Sequence, residues 1–206
     1  MTRPVLALDA DGVLLDFHLG YAVAWKRAFG AMPAERDPLA YWPMDRWDVS
    51  RLDADKRAHF RQFFDAQFWS TVPAIPGAVD ACRRLHAAGF ELVCVSALEE
   101  EFEDDRLRNL RDLGFPIERV IATGNAAGEI SPKAEAIRGL RPLAFVDDYL
   151  PYLRGLPASV HTALVLRAPN GSPNVGDDLA LADSLHADLG HFAEHWLARS
   201  APRSPT

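Results

Sequence analysis

Val5-Leu6-Ala7-Leu8-Asp9-Ala10-Asp11-Gly12-Val13 is a run of four apolar residues that ends in two carboxylates and a glycine. Preceded by Pro4, the apolar run suits a strand of a parallel sheet, which is covered on both faces and need not alternate. Asp9 and Asp11 then stand at its carboxyl end, where the loops of an open α/β sheet form a ligand crevice. Gly12 permits a tight turn there. Side chains two apart on extended backbone start on one side, so one carboxylate could attack while the other handles protons. Asp-x-Asp-Gly also fits a calcium loop or an ordinary strand exit. The calcium reading is poor in context. A strand rather than a helix precedes the acids, and Gly20 occupies the twelfth position, where a bidentate Glu is needed.

Downstream, Phe17, Tyr21, Val23, Ala24, Trp25 and Phe29 recur at helical spacing over residues 16–29, before a Gly30 to Pro33 break. A loop rich in proline and aromatics follows, and residues 53–69 read as a second helix with Phe60, Phe63, Phe64 and Phe68 apolar. Twelve of the chain's twenty aromatics fall between Phe17 and Trp69. That shift in composition marks a small α-helical subdomain at 16–75, inserted into an α/β core made of 1–15 and 76–206.

The core reads as repeated α/β units. Residues 78–88 predict a helix stopped by Gly89, and 91–95 a strand ending at Ser96. Residues 100–113 predict a helix closed by Gly114, Val120-Ile121 a short strand and 132–139 a helix. Residues 143–146 predict a strand ending at Asp147-Asp148, 162–166 a further strand, and 179–198 a helical tail, with 200–206 frayed. Helices between strands imply parallel pairing and right-handed crossovers, hence a Rossmann-like sheet with helices on both faces.

Composition narrows the function classes. A chain of 206 residues, 49% of them hydrophobic, can bury a full core without staples. Cys82 and Cys94 fall in a predicted helix and strand, the setting of small buried hydrophobes, and no Cys-x-x-Cys or Cys/His cluster is present. No apolar signal-like stretch follows Met1-Thr2-Arg3-Pro4 and no long apolar run occurs, so a reduced cytoplasmic protein without a membrane span is expected. A net charge of -7 disfavours a nucleic-acid polymer as partner.

Three further features fall where strands end or a helix begins. The Ser96 hydroxyl and the following N–H could hold a phosphate oxygen, although a local turn hydrogen bond explains such a serine equally. Lys133 follows Ser131-Pro132 at the positive end of a helix dipole, an unfavourable place for a cation unless it faces an anion. Asp147 and Asp148 end an apolar strand side by side and repel each other unless a cation or hydrogen bonds compensate; a hard divalent metal would do so.

In order and position these residues resemble the haloacid dehalogenase superfamily of phosphatases and phosphotransferases. The matching pieces are Asp9-Ala10-Asp11-Gly12-Val13, Ser96, Lys133 and Asp147-Asp148, covering about residues 4–15 and 77–167. The family places a helical cap where the aromatic-rich insert lies. The resemblance implies that Asp9 is a nucleophile forming an aspartyl-phosphate, and that Asp11 is an acid and base. It implies Mg2+ held by Asp9, the Asp11 carbonyl and Asp147 or Asp148. Ser96, Lys133 and backbone N–H groups around Ala10 and Gly12 would bind phosphate. The implied partner is a small phosphorylated metabolite. Dehalogenase members lack the second acid, so Asp11 favours phosphate chemistry. The Asp11 to Phe17 stretch and the Asp147-Asp148 pair also resemble the deoxyribonucleotidase branch. A phosphotransferase or phosphomutase would share every core residue, and a non-catalytic member could keep the fold as a phosphate- or partner-binding module.

Tyr41, Trp42 and Trp47 lie in a proline-broken loop and are candidates for stacking on a substrate's base or sugar. Phe60, Phe64 and Trp69, at helical spacing, read as the core of the insert. His18 could face the crevice, whereas the other histidines show no metal-ligand grouping.

Overall fold

A computed structural model describes residues 3–126 and 128–200. Its centre is a six-stranded, all-parallel sheet: β1 (Val5–Leu8), β2 (Glu91–Ser96), β3 (Ile117–Ala122), β4 (Ala144–Asp147), β5 (His161–Val165) and β6 (Ser184–His186). The strand order is β3-β2-β1-β4-β5-β6. β1 therefore lies mid-sheet, with Leu6 opposite Leu92 on one side and Ala144 on the other. The chain runs outward from β1 to β3, then crosses to β4 and runs outward the other way. The crevice outside the carboxyl ends of β1 and β4 is thus the switch point at which such sheets bind ligands.

The buried residues divide by strand alternation. Leu6, Leu8, Cys94 and Val146 belong to one apolar cluster, while Ala7, Val93, Val95 and Phe145 belong to another. The first face is covered by α5 (Ala78–Ala87), α6 (Glu103–Asp112) and α8 (Leu189–Ser200), through Leu85, Leu110 and Phe192. The second is covered by α7 (Ala134–Leu140) through Ile137 and by a 3-10 turn at Leu150–Leu153. Both faces are filled, which is why the central strands β1, β2 and β4 read as continuous apolar runs.

Residues 16–75 hold four helices and none of the six strands: α1 (Phe17–Phe29), α2 (Pro43–Arg46), α3 (Ala54–Arg61) and α4 (Ala66–Trp69). Asp16 caps α1 by accepting from Leu19 N, and Gly30, at φ 85°, ends it. Phe60, expected as core, is buried, and Phe64 packs half-buried against the same apolar cluster.

Four expectations are corrected. The single helix over 53–69 is two, because the Asp65 carboxylate accepts from Phe68 N and starts a new helix while also binding Arg27. The strand expected at Val120-Ile121 runs Ile117–Ala122, with its exposed Glu118 and Arg119 masking the pattern on an edge strand. The strand expected at 162–166 starts and ends one residue earlier. The helix expected over 179–198 is a 3-10 turn, then β6 against β5, then α8. Three residues, Ser184-Leu185-His186, are too few to show a period. Of the expected frayed end, only Ser200 falls among the described residues, as the last residue of α8; 201–206 lie outside them. Among the described residues no helix is long and apolar enough to cross a membrane.

Candidate active site

Asp9 follows β1, and its N–H donates to Val146 O on β4 at 2.8 Å, so the strand pairing itself sets it at the switch point. The chain then turns tightly. Leu14 N and Leu15 N both donate to Ala10 O at 2.8 Å, Gly12 N donates to Leu15 O at 2.9 Å, and Gly12 takes φ 91°. The Gly12 N–H, expected to meet phosphate, is thereby committed to the turn. Ala10 is fully buried and serves the same turn through its carbonyl.

Lys133, at the start of α7, reaches under this turn. Its buried Nζ donates to Asp9 Oδ1 and Asp147 Oδ2, each at 2.6 Å, and lies 4.6 Å from the Tyr152 ring centroid. Burial alone would lower its pKa, but Asp147 and Asp9 reverse that and hold it above the ordinary lysine value, so it stays an ammonium. Asp147 Oδ1 also accepts from Tyr149 N. Asp148 accepts from Arg167 Nε at 2.5 Å through Oδ2, while its carbonyl accepts from the Tyr41 hydroxyl and from Asn174 Nδ2.

Asp9, Asp147 and Asp148 are buried and each offers an oxygen within 4.8 Å of the others. Burial pushes both Asp147 and Asp148 above the ordinary carboxylate range, and Asp9 adds to the effect through its charge. Clustered hard oxygen donors whose charge is costly to bury fit a small divalent cation such as Mg2+. These three residues would hold it.

Asp11, the other carboxylate of the opening motif, points a partly exposed side chain into the same cavity. Burial raises it to about 6, against the pull of Arg106. Arg106 Nη2 donates to both Asp11 oxygens, at 2.9 and 3.1 Å, and its guanidinium lies 5.0 Å from the Trp69 ring centroid. A carboxyl that titrates near neutrality can give and take a proton at working pH. Ser96 ends β2, is 1% exposed and lines the cavity.

The cavity over these groups measures about 430 Å³. Of the three loop aromatics, Tyr41 and Trp42 line it. Trp47 does not: it is buried in the apolar cluster and its Nε1 donates to His18 O. Trp69, expected as core, packs half-buried against the apolar cluster and also lines the cavity, as does Phe17.

His18 lines it too, in a fixed role. Its Nε2 is 2.9 Å from Tyr41 O, which can only accept, so Nε2 carries the proton and Nδ1 accepts from Arg46 Nη1 at 3.2 Å. Burial, then the neighbouring Arg167, lowers its pKa to about 4. It is a neutral tie between α1 and the following loop.

Arg106 and Arg167 were not singled out in the sequence. Each lies in a segment without a motif, and its carboxylate partner is distant in the chain; only an acid in need of a counter-charge hinted at them.

No family model matches the chain, and no curated protein matches it. Solved structures do. A HAD family hydrolase from Deinococcus radiodurans R1, with bound phosphate and sodium, superposes at TM-score 0.64 and 19% identity, over 96% of each chain. A putative beta-phosphoglucomutase from Thermotoga maritima gives 0.59 and 16%, over 95% of this chain and 99% of that one. A predicted phosphoglycolate phosphatase from Haemophilus somnus 129PT gives 0.58 and 14%, again over 95% and 99%. Dehalogenases are among the same matches.

Proposed function

On a chain that carries the haloacid dehalogenase fold, we propose a magnesium-dependent hydrolase of small phosphomonoesters, with residues 16–75 acting as its cap. The observation that carries the reading is the charge cluster at the switch point. Lys133 bridges Asp9 and Asp147, Asp148 adds a third buried carboxylate, and all lie beneath a cavity that Asp11 also lines.

Asp9 attacks phosphorus, forming a bond from its carboxylate oxygen while the ester P–O bond breaks. Asp11 gives its proton to the departing alcohol, then takes one from the water that attacks phosphorus and frees Asp9 as inorganic phosphate leaves. Arg106 holds the Asp11 carboxylate during both transfers. Lys133 orients Asp9 through its hydrogen bond, and with Ser96 it offers donors to the transferring oxygens. Mg2+, held by Asp9, Asp147 and Asp148, would neutralise charge so that a carboxylate can approach an anion. Most of the rate enhancement comes from this positioning and electrostatics.

The site residues of a phosphomutase would be the same, and a putative one is among the structural matches. Inorganic phosphate released in step with substrate loss distinguishes hydrolysis from transfer. The test is a panel of phosphorylated sugars, nucleotides and small acids, assayed with magnesium or with chelator, beside Asp9→Asn. Metal-dependent release that this substitution abolishes is the expected result. Release that survives it would contradict the reading.

A further inference from the structure

The cavity above Asp9 has two aromatic sides. Phe17 and Trp69, from the start of α1 and the end of α4, form one, with ring centroids 6.4 Å apart and planes at 32°. Trp42, Tyr149 and Tyr152 form the other. Tyr149 stands edge-on to Trp42, 6.2 Å away at 73°, and to Tyr152, 4.8 Å away at 79°. Among the described residues no ring contact joins the two groups, yet all five line one cavity of about 430 Å³.

Both sides are fixed before anything binds. Trp69 Nε1 donates to Phe64 O and Trp42 Nε1 to Gly171 O, each at 3.1 Å, so each indole is anchored by its polar edge. Trp42 is nonetheless 42% exposed, an apolar surface left open at the cavity. Among the described residues Arg167 is the one lasting cation in the lining; its Nε is held by Asp148 and its guanidinium lies 4.6 Å from the Tyr41 ring centroid. His18 is neutral, with both ring nitrogens engaged. Away from the acids the described lining is mostly ring faces, with the Asn125 amide and the Ser96, Tyr149 and Tyr152 hydroxyls as its uncharged polar groups.

Taking the phosphomonoester reading as premise, we infer that the leaving group carries a flat aromatic ring, seated between Phe17 and Trp69 on one side and Trp42, Tyr149 and Tyr152 on the other. Rigid aromatic sides bind such a ring with little ordering cost.

Two substrate pairs that share the reacting primary alcohol test this: benzyl against cyclohexylmethyl phosphate, and adenosine 5′-monophosphate against ribose 5-phosphate. With magnesium, the expected kcat/KM is at least threefold higher for the aromatic member of at least one pair, and Trp42→Leu lowers that ratio at least threefold. Phosphate release with ratios below threefold in both pairs overturns the aromatic assignment while the hydrolase stands. A ratio unmoved by Trp42→Leu removes the seat argued for the ring. No magnesium-dependent release from any of the four overturns the hydrolase reading, and the inference with it.

Discussion

Lys133 shows how one residue governs the site. Its ammonium is fully buried between Asp9 and Asp147, and removing one partner of such a group strands the rest in a poor solvent for charge. Lys133→Met is expected to cost about 3–5 kcal/mol in urea unfolding, and adding Asp147→Asn to it should recover part of the loss. Gly12→Ala tests the turn in the same way. A Cβ there would sit 2.3 Å from Asp148 Oδ2 and 2.6 Å from Arg167 Nε, at φ 91°. The variant should unfold at lower temperature and disturb the Asp148–Arg167 pair; an unchanged midpoint would mean the turn relaxes freely. At this scale the acids were legible in the sequence because each follows an apolar strand. Arg106 was not, since it lies 95 residues from Asp11 and its neighbours read as an ordinary charged helix.

The elements were legible where local chemistry decides them. Asp16 and Gly30 bound α1 by capping, and Gly114 ends the α6 region at φ 82°. They were illegible where a distant side chain decides, and Asp65 is the example. Its dual role as cap and as partner of Arg27 breaks a segment whose aromatic spacing reads as one helix. Asp65→Ala should cost about 1 kcal/mol for the lost cap. Asp65→Asn keeps a capping oxygen and removes the charge. The hydrogen bond from Arg27 holds the Asp65 carboxyl below the ordinary carboxylate range. Its stabilisation is therefore complete above the unfolded value of about 4 and is lost as pH falls through the lower folded value. The stability gap between wild type and Asp65→Asn should close below about pH 4. A gap that stayed constant on acidification would show that the charge contributes nothing.

Across the whole molecule, a parallel sheet brings together acids from the ends of β1 and β4, far apart in sequence, and residues from the 16–75 segment complete the cavity beside them. The parallel pairing of the sheet's strands followed from alternating strand and helix patterns, whereas β6 at the edge did not. The membership of the cavity did not, because which aromatics face it depends on packing: Trp47 turned inward while Trp69 turned toward the site. Three clustered buried carboxylates should couple metal binding to folding. Magnesium at about a hundred times its Kd should add about 2.7 kcal/mol to stability, and Asp148→Asn should blunt the rise in melting midpoint. A midpoint indifferent to magnesium would argue against a metal at these residues. Asp9 should become phosphorylated during turnover. The direct measurement is to quench the reacting enzyme, reduce it with borohydride and map the product by peptide mass spectrometry. Conversion of residue 9 from aspartate to homoserine, dependent on substrate and magnesium, is the predicted result; rapid turnover with Asp9 never modified would contradict it.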